Sequence, residues 1–210
     1  MKKIFDQDNA FNRILTRMFD LMLLNILWFL CCIPIITIGA STTALYYMTL
    51  KMCRDEEGKI AEGFFRSFCQ NLKQSIPITL MLLAAVFLLI FDIHVWGSTK
   101  EEGAGLLYGS CVALMIMAAA IFSYVFPLLA RFDNTVKNLI ANACRLAATH
   151  LVQTILILII NGIPFTWFMI SPGTFSLVFW IWFFIGTATE AYLCSCLLVK
   201  IFDRLTELKE

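Results

Sequence analysis

The chain has 210 residues, of which 60% are hydrophobic and 15% are charged, and its mean hydropathy is +0.81. Soluble domains carry roughly 25% charged residues, so this composition excludes an ordinary soluble domain. A net charge of +1 gives no reason to expect a nucleic-acid partner.

Long stretches without Asp, Glu, Lys or Arg predict membrane-spanning helices, because about 20 apolar helical residues cross a hydrocarbon core of roughly 30 Å. Such stretches cover residues 21–50, 74–91, 103–130 and 146–189. The last is about two crossings long and is divided near its middle by a Ser-Pro-Gly turn. We therefore predict an all-α fold, a polytopic helical bundle with about five hydrophobic segments. It forms a single integral membrane domain over residues 1–210, with the lipid bilayer as its partner.

The first apolar stretch is predicted to break between Pro34 and Gly39. Proline lacks an N–H and clashes with the preceding turn, which costs about 3 kcal/mol in a helix interior. Glycine adds roughly 1 kcal/mol relative to alanine. We expect one helix from near Asn9 to the break and a second helix beginning near Ser41 or Thr42, whose hydroxyl groups suit an N-cap.

The distribution of Lys and Arg predicts the orientation, because cytoplasmic loops carry an excess of these residues. The 51–73 loop, the 131–145 loop and the C-terminus are basic and are placed in the cytoplasm, whereas residues 92–102 hold a single Lys. The N-terminal segment is also basic, which leaves two alternatives. Either it lies outside, or residues 21–50 form a short or re-entrant hairpin that returns to the inner face. We favour the hairpin.

Each of two basic loops is predicted to contain an amphipathic helix on the inner surface of the membrane. In the first helix, over residues 61–75, the apolar face consists of Phe64, Phe65, Phe68 and Leu72. Pro77 is expected to open the span that follows. In the second helix the apolar stripe consists of Val136, Leu139, Ile140 and Ala143. This shared plan favours a weak internal repeat of residues 40–96 and 104–170, and chance similarity between two amphipathic helices is an equally good explanation.

Glu190 is the most informative single residue, because it lies in the last predicted span, ten residues before Lys200. At 1.5 Å per residue its carboxyl group lies about 15 Å from the inner boundary, near the bilayer midplane. A charged carboxylate at that depth is costly unless it pairs, faces a cavity or takes a proton. Glu190 is therefore a candidate proton or substrate site. The alternative is a neutral acid hydrogen-bonded to a neighbouring helix, beside Thr187 or Thr189.

Four further polar residues complete the candidate intramembrane polar site. Asn25 and Asn161 are amides within predicted spans, where a hydrogen bond between helices is the usual role. Thr37 and Ser41 lie at or beside the predicted break. Backbone groups freed at membrane depth survive only where they are buried in protein or face a wet cavity, so this patch is expected inside the bundle or at its outer surface.

No motif of a catalytic or metal site occurs in the sequence. It lacks the phosphate-binding pattern GxxxxGK[ST], the zinc pattern HExxH and the nucleophile pattern GxSxG. Its eight cysteines include no CxxC pair. We therefore expect neither enzyme activity, nor a cofactor, nor a bound metal.

Three blocks of sequence resemble the YesL-like family of small bacterial multi-pass membrane proteins, a domain family of unknown function. The blocks are CIPIITIGASTTALYY at 32–47, FFRSF at 64–68 and FPLLARF at 126–132. Their order and spacing extend over most of the chain. Ala40 stands where the family commonly has a proline, which is a mild departure from the pattern.

The resemblance implies a multi-pass protein of the bacterial cytoplasmic membrane, with its C-terminus in the cytoplasm as the charges predict. Members of the family are often encoded beside carbohydrate ABC transporters. This implies an accessory or regulatory role in carbohydrate uptake, with components of a sugar ABC transporter as partners. The alternative is a small transporter or channel in its own right, with Glu190 in the pathway. The family provides no catalytic residues that could be assigned to this chain.

Overall fold

The computed structural model describes residues 10–56, 58–98, 103–132, 134–171, 173–174, 179–180 and 182–207. Its helices are α1 (Ala10–Cys32), α2 (Ile38–Met52), α3 (Ile60–Ser98), α4 (Ala104–Arg131), α5 (Val136–Thr149), α6 (Leu151–Ile170) and α7 (Thr187–Glu207). A 3-10 turn over Ile35–Thr37 precedes α2, and a π-helical segment over Trp182–Gly186 leads into α7. Within these residues five helices are long and apolar enough to cross a membrane: α1, α3, α4, α6 and the π segment with α7. The predicted all-α, multi-pass bundle is confirmed.

The first apolar stretch breaks where the sequence predicts, but the second helix begins earlier than expected. α1 ends at Cys32 and α2 begins at Ile38, not near Ser41 or Thr42. Gly39 therefore lies inside α2 and does not contribute to the break. Proline alone interrupts the helix, and the glycine serves close packing against α3 and α4.

Side-chain hydroxyls bond backbone carbonyls around the break. The Thr37 hydroxyl donates to the carbonyl oxygens of Cys31 at 2.6 Å and Pro34 at 2.7 Å. The Ser41 hydroxyl donates to the carbonyl oxygen of Trp28 at 3.0 Å. Carbonyl groups at the end of a helix lack partners within that helix, so these bonds allow α2 to begin only a few residues after α1 ends.

α1 and α2 form a hairpin, but it is not the short one predicted, because α1 has 23 residues and is long enough to span a membrane by itself. The side of the membrane on which the N-terminal segment lies stays a prediction. Arg17 on α1 pairs with Asp55, just after α2, and Arg54 pairs with Asp203 on α7. The first turns of α1, the end of α2 and the last turns of α7 therefore share one end of the bundle, which we call the basic end. α2 is about 22 Å long, and most of its residues are buried.

α3 is one helix of 39 residues, so the first predicted surface helix is not separate from the span that follows it. Pro77 lies inside α3 instead of opening a new helix. The face that packs in the bundle consists of Ile60, Phe64, Ser67, Ser75, Ile78 and Thr79, whereas Phe65 is 48% exposed. The small serines allow α2 to lie close, and the helix continues through the proline along this packed face.

α5 packs its apolar face on protein. Leu139 and Ala143 of the predicted stripe are buried, together with Leu146 and Ala147, and α5 lies against α4. The second predicted surface helix is thus present, but the bundle and not the lipid covers its stripe. The two units of the proposed repeat differ here, since one contains a continuous helix and the other is divided at His150. The duplication itself stays a prediction.

Two free thiols lie close together where the end of α2 packs against α7, and their oxidation tests this packing directly. The sulfur atoms of Cys53 and Cys196 lie 3.0 Å apart. A disulfide has a sulfur–sulfur distance of about 2.05 Å, so a movement of about 1 Å suffices to form one. We expect copper phenanthroline to oxidise this pair in membranes, with loss of two hydrogens from the joined peptides in a mass spectrum. Burial, and then the hydrogen bond with Cys196, raise the pKa of the Cys53 thiol. The reaction is therefore expected to accelerate as the medium becomes alkaline.

The control for this experiment is Cys53→Ser, which leaves Cys196 without its partner. A joined peptide pair that links Cys196 to another cysteine of the wild-type protein would contradict the packing of α2 against α7.

Candidate functional site

A cavity of about 520 Å³ lies between the helices of the bundle, and we call it the central cavity. It opens to the surface beside Phe165, which is 74% exposed. Residues of α1, α2, α3, α4, α6 and α7 line it. Its walls are mainly hydrocarbon and aromatic, and its volume falls in the range of small-molecule sites, about 300–1,000 Å³. The polar side chains in the lining are Trp28, Thr42, Tyr46, Ser123, Asn161, Thr187 and Glu190.

Glu190 carries a carboxyl oxygen that has no partner. Its Oε1 atom is buried and receives no hydrogen bond from any residue that the structure describes. The Thr189 hydroxyl, one of the predicted partners, donates instead to the carbonyl oxygen of Ile185 at 2.7 Å. An unpaired carboxylate in low-dielectric surroundings is costly, so this group needs a proton or a cation beside it.

Several other polar groups of the central cavity are already paired. The Trp28 indole N–H donates to the Thr42 hydroxyl at 3.2 Å. The side-chain amide N–H of Asn161 donates to the Ser123 hydroxyl at 3.3 Å, and the Cys194 thiol donates to the side-chain amide oxygen of Asn161 at 3.8 Å. Asn161 therefore ties α6 to both α4 and α7 at the wall of the cavity. The unpartnered carboxyl oxygen distinguishes Glu190 from these groups.

The Asn25 side chain makes hydrogen bonds with backbone groups of the last span. Asn25 does not line the central cavity. Its side chain is fully buried. The amide N–H donates to the carbonyl oxygen of Phe183 at 2.6 Å, and the amide oxygen accepts the backbone N–H of Ala188 at 2.8 Å. Both backbone groups lie in or next to the π segment, where the wide turn disturbs the regular helical hydrogen bonds. Asn25 thus fastens α1 to the start of α7.

The predicted candidate residues do not form one site. Glu190 and Asn161 share the central cavity. Thr37 and Ser41 bond carbonyl oxygens at the break, and Asn25 bonds the π segment. Sequence reasoning missed the cavity positions Trp28, Thr42, Tyr46 and Ser123. Each is an unremarkable residue within an apolar helix, and only the packing of six helices brings these side chains to one space.

Glu190 also borders a second, smaller cavity of about 250 Å³ between α6 and the last span, which we call the lateral groove. Its other lining residues are Ile160, Ile163, Trp182, Ile185, Gly186, Thr189 and Leu193. Ile163 and Leu193 are 43% and 47% exposed, so the groove lies at the lateral surface that a membrane-spanning helix presents to lipid. Glu190 therefore contributes to the lining of both the central cavity and the lateral groove.

The fold defines a multi-pass helical membrane protein, and Glu190 lines both of the cavities described above. A sequence model of the family described as "Protein of unknown function, DUF624" matches residues 21–93, about a third of the chain. The chain is also 22% identical over 160 residues to "Uncharacterized protein YesL" of Bacillus subtilis (strain 168), covering 74% of this chain and 75% of that protein. No solved structure matches. The two sequence matches confirm the predicted resemblance to the YesL-like family, whose function is unknown.

Proposed function

We propose that the protein is a small proton-linked transporter, with the central cavity as its substrate site and Glu190 as its proton carrier. Two observations carry this proposal: Glu190 lines a cavity of about 520 Å³, and its buried Oε1 atom has no hydrogen-bond partner among the described residues. Ionisable residues at membrane depth are costly, and they commonly mark proton relays and substrate pathways.

The proposed cycle exchanges one proton for one substrate molecule. In the empty cavity Glu190 holds a proton. A substrate that brings a positive charge or a strong hydrogen-bond donor replaces that proton, which leaves to water. Tyr46 on α2 and Cys194 on α7 are the titratable side chains that interact with Glu190. The lining residues that α1, α3, α4 and α6 contribute to the central cavity hold no titratable group.

The test is proton movement in proteoliposomes that contain a trapped pH-sensitive dye. Three probes are added separately: the cation tetraphenylphosphonium, the uncharged alcohol triphenylmethanol and glucose. We expect at least one amphipathic probe to move protons through the wild-type protein and through Glu62→Gln, a matched change of an exposed carboxyl. Glu190→Gln is expected to abolish the movement. Wild-type protein that moves no protons with any probe, or Glu190→Gln with unchanged movement, would contradict the proposal.

A second candidate function is an accessory or regulatory role in carbohydrate uptake by a sugar ABC transporter. The exposed side of α5, with Lys137 and Arg145, gives a basic surface on which a partner could dock. The central cavity is too apolar for a sugar, because buried hydroxyl groups without partners cost free energy, so a partner would bind the sugar. Co-purification of transporter components in mild detergent, lost in a Lys137→Glu, Arg145→Glu variant, is the expected result. A protein that is always purified alone would count against this role.

We also propose that the protein lies in the bacterial cytoplasmic membrane with its basic end, including the C-terminus, in the cytoplasm. Basic residues concentrate on the cytoplasmic side of membrane proteins. Cys144 is exposed on α5, the helix that follows Arg131, and Arg131 lines a small cavity together with Lys51 and Arg54 of the basic end. In a variant that keeps Cys144 alone, a membrane-impermeant maleimide is expected to react only after the cells are opened. Labelling of Cys144 in intact cells would show that the basic end faces the outside and would contradict this orientation.

A further inference from the structure

Glu190 is the residue that the central cavity and the lateral groove share, since it contributes to the lining of both. We infer that the site takes a lipophilic organic cation, which reaches Glu190 from the hydrocarbon of the bilayer through the lateral groove. This inference rests on the proposed function and adds the substrate class and its route.

The charge of the lining favours a cation. Among the residues that the structure describes, Glu190 is the one acidic side chain that lines the two cavities, and no Lys, Arg or His lines either. A carboxylate without a basic partner attracts a positive group and repels an anion. Ca²⁺ and Mg²⁺ prefer six or more oxygen ligands, and a single carboxylate among hydrocarbon walls does not meet that requirement.

The aromatic residues of the central cavity favour an organic cation. Trp28, Phe122, Phe126 and Phe165 contribute to the lining. The face of an aromatic ring attracts a positive group, and the attraction grows where water is excluded. The remaining walls are mostly aliphatic, so they suit a ligand with an apolar body. A volume of about 520 Å³ accommodates a ligand of drug-like size.

The composition of the lateral groove favours a route from the lipid. Apart from Glu190, its lining is apolar except for Thr189, whose hydroxyl already bonds the backbone. A hydrophilic solute gains nothing in such a groove, whereas an amphipathic molecule dissolved in the bilayer stays in surroundings like its own. Ile163 and Leu193 form part of its outer, exposed wall.

The substrate class is tested by binding to the purified, full-length protein in detergent, measured by equilibrium dialysis. The probes are tetraphenylphosphonium and tetraphenylborate, which share size and shape and carry opposite charges. We expect tetraphenylphosphonium to bind the wild-type protein and Glu62→Gln, and to bind Glu190→Gln about tenfold or more weakly. Tetraphenylborate is expected to bind poorly to all three. Equal affinity for the two ions, or equal binding to wild type and Glu190→Gln, would overturn the inference.

The route is tested by the rate of tetraphenylphosphonium binding in proteoliposomes, followed by tryptophan fluorescence after rapid mixing. Ile163→Trp narrows the lateral groove. Ile159→Trp is the matched control, because Ile159 is 59% exposed on the same helix and lines neither cavity. We expect Ile163→Trp to slow binding several-fold relative to Ile159→Trp. Equal rates would exclude the lateral route.

Failure of this inference is distinguishable from failure of the proposed function. If triphenylmethanol moves protons in a Glu190-dependent way while tetraphenylphosphonium neither binds nor moves them, the transporter stands and the cationic substrate is wrong. If no probe moves protons, both proposals fall.

Discussion

Gly39→Val is expected to lower the free energy of unfolding more than either Gly39→Ala or Asn25→Ala. A Cβ atom at position 39 would lie 1.9 Å from the Thr79 hydroxyl oxygen and 2.8 Å from the Phe126 ring. The Thr79 hydroxyl donates to the carbonyl oxygen of Ser75 at 2.7 Å, so moving it away breaks a buried hydrogen bond. Overpacking a tight core costs about 1–3 kcal/mol and sometimes more. Gly39→Ala is expected within this range and Gly39→Val above it.

The measurement is thermal unfolding in detergent, followed by circular dichroism. Gly109→Ala on α4 is the control, because a Cβ there meets no atom within 4 Å, and alanine favours a helix over glycine by up to about 1 kcal/mol. Thr79→Ala removes the obstructing hydroxyl and is expected to restore part of the stability that Gly39→Ala loses. Equal unfolding temperatures for Gly39→Ala and Gly109→Ala would show that α2 does not pack closely against α3 and α4 at Gly39.

Asn25→Ala is expected to produce the second large effect. It leaves the carbonyl oxygen of Phe183 and the N–H of Ala188 without the bonds that Asn25 supplies. Each buried group deprived of its partner costs about 1–3 kcal/mol, although hydrogen bonds between membrane helices average only about 0.6 kcal/mol where other partners are found. Phe183 lies in the π segment and Ala188 two residues beyond it, so replacement partners are scarce and we expect a total of about 2 kcal/mol or more.

The expected result for Asn25→Ala is a lower unfolding temperature together with altered near-ultraviolet circular dichroism from the aromatic residues of the π segment. Asn138→Ala on the exposed side of α5 is the control and is expected to change neither signal. An Asn25→Ala protein as stable as Asn138→Ala would contradict the role of Asn25 in holding α7 to α1.

Local chemistry made several parts of the fold predictable. Pro34 cannot donate a backbone hydrogen bond, so a helix break at that residue follows from the sequence alone. The length of the charge-free stretches likewise predicts the spans. The position of Glu190 within the last span was also predictable, whereas its depth in the bilayer stays a prediction from its distance to Lys200 along a helix.

Other features depend on contacts between distant residues, and no local pattern contains them. Pro77 resembles Pro34 in sequence terms, yet α3 continues through it because one face of that helix is packed in the bundle. Gly39 was expected to weaken a helix, but its lack of a side chain allows Thr79 and Phe126 to pack closely against α2. The π segment and the central cavity likewise arise only when α1, α6 and the last span are in place.

The most direct test of the proposed acidic intramembrane pocket is labelling of Glu190 by dicyclohexylcarbodiimide, an apolar reagent that reacts with protonated carboxyl groups. The wild-type protein is treated in membranes, and its peptides are analysed by mass spectrometry, with Glu190→Gln as the control. A water-soluble carbodiimide serves as the second reagent and is expected to modify exposed carboxyl groups such as that of Glu62. We predict that Glu190 is modified by the apolar reagent and spared by the soluble one. A Glu190 that the apolar reagent leaves unmodified would contradict the account, because its carboxyl group would then be paired with another residue or sealed from the bilayer.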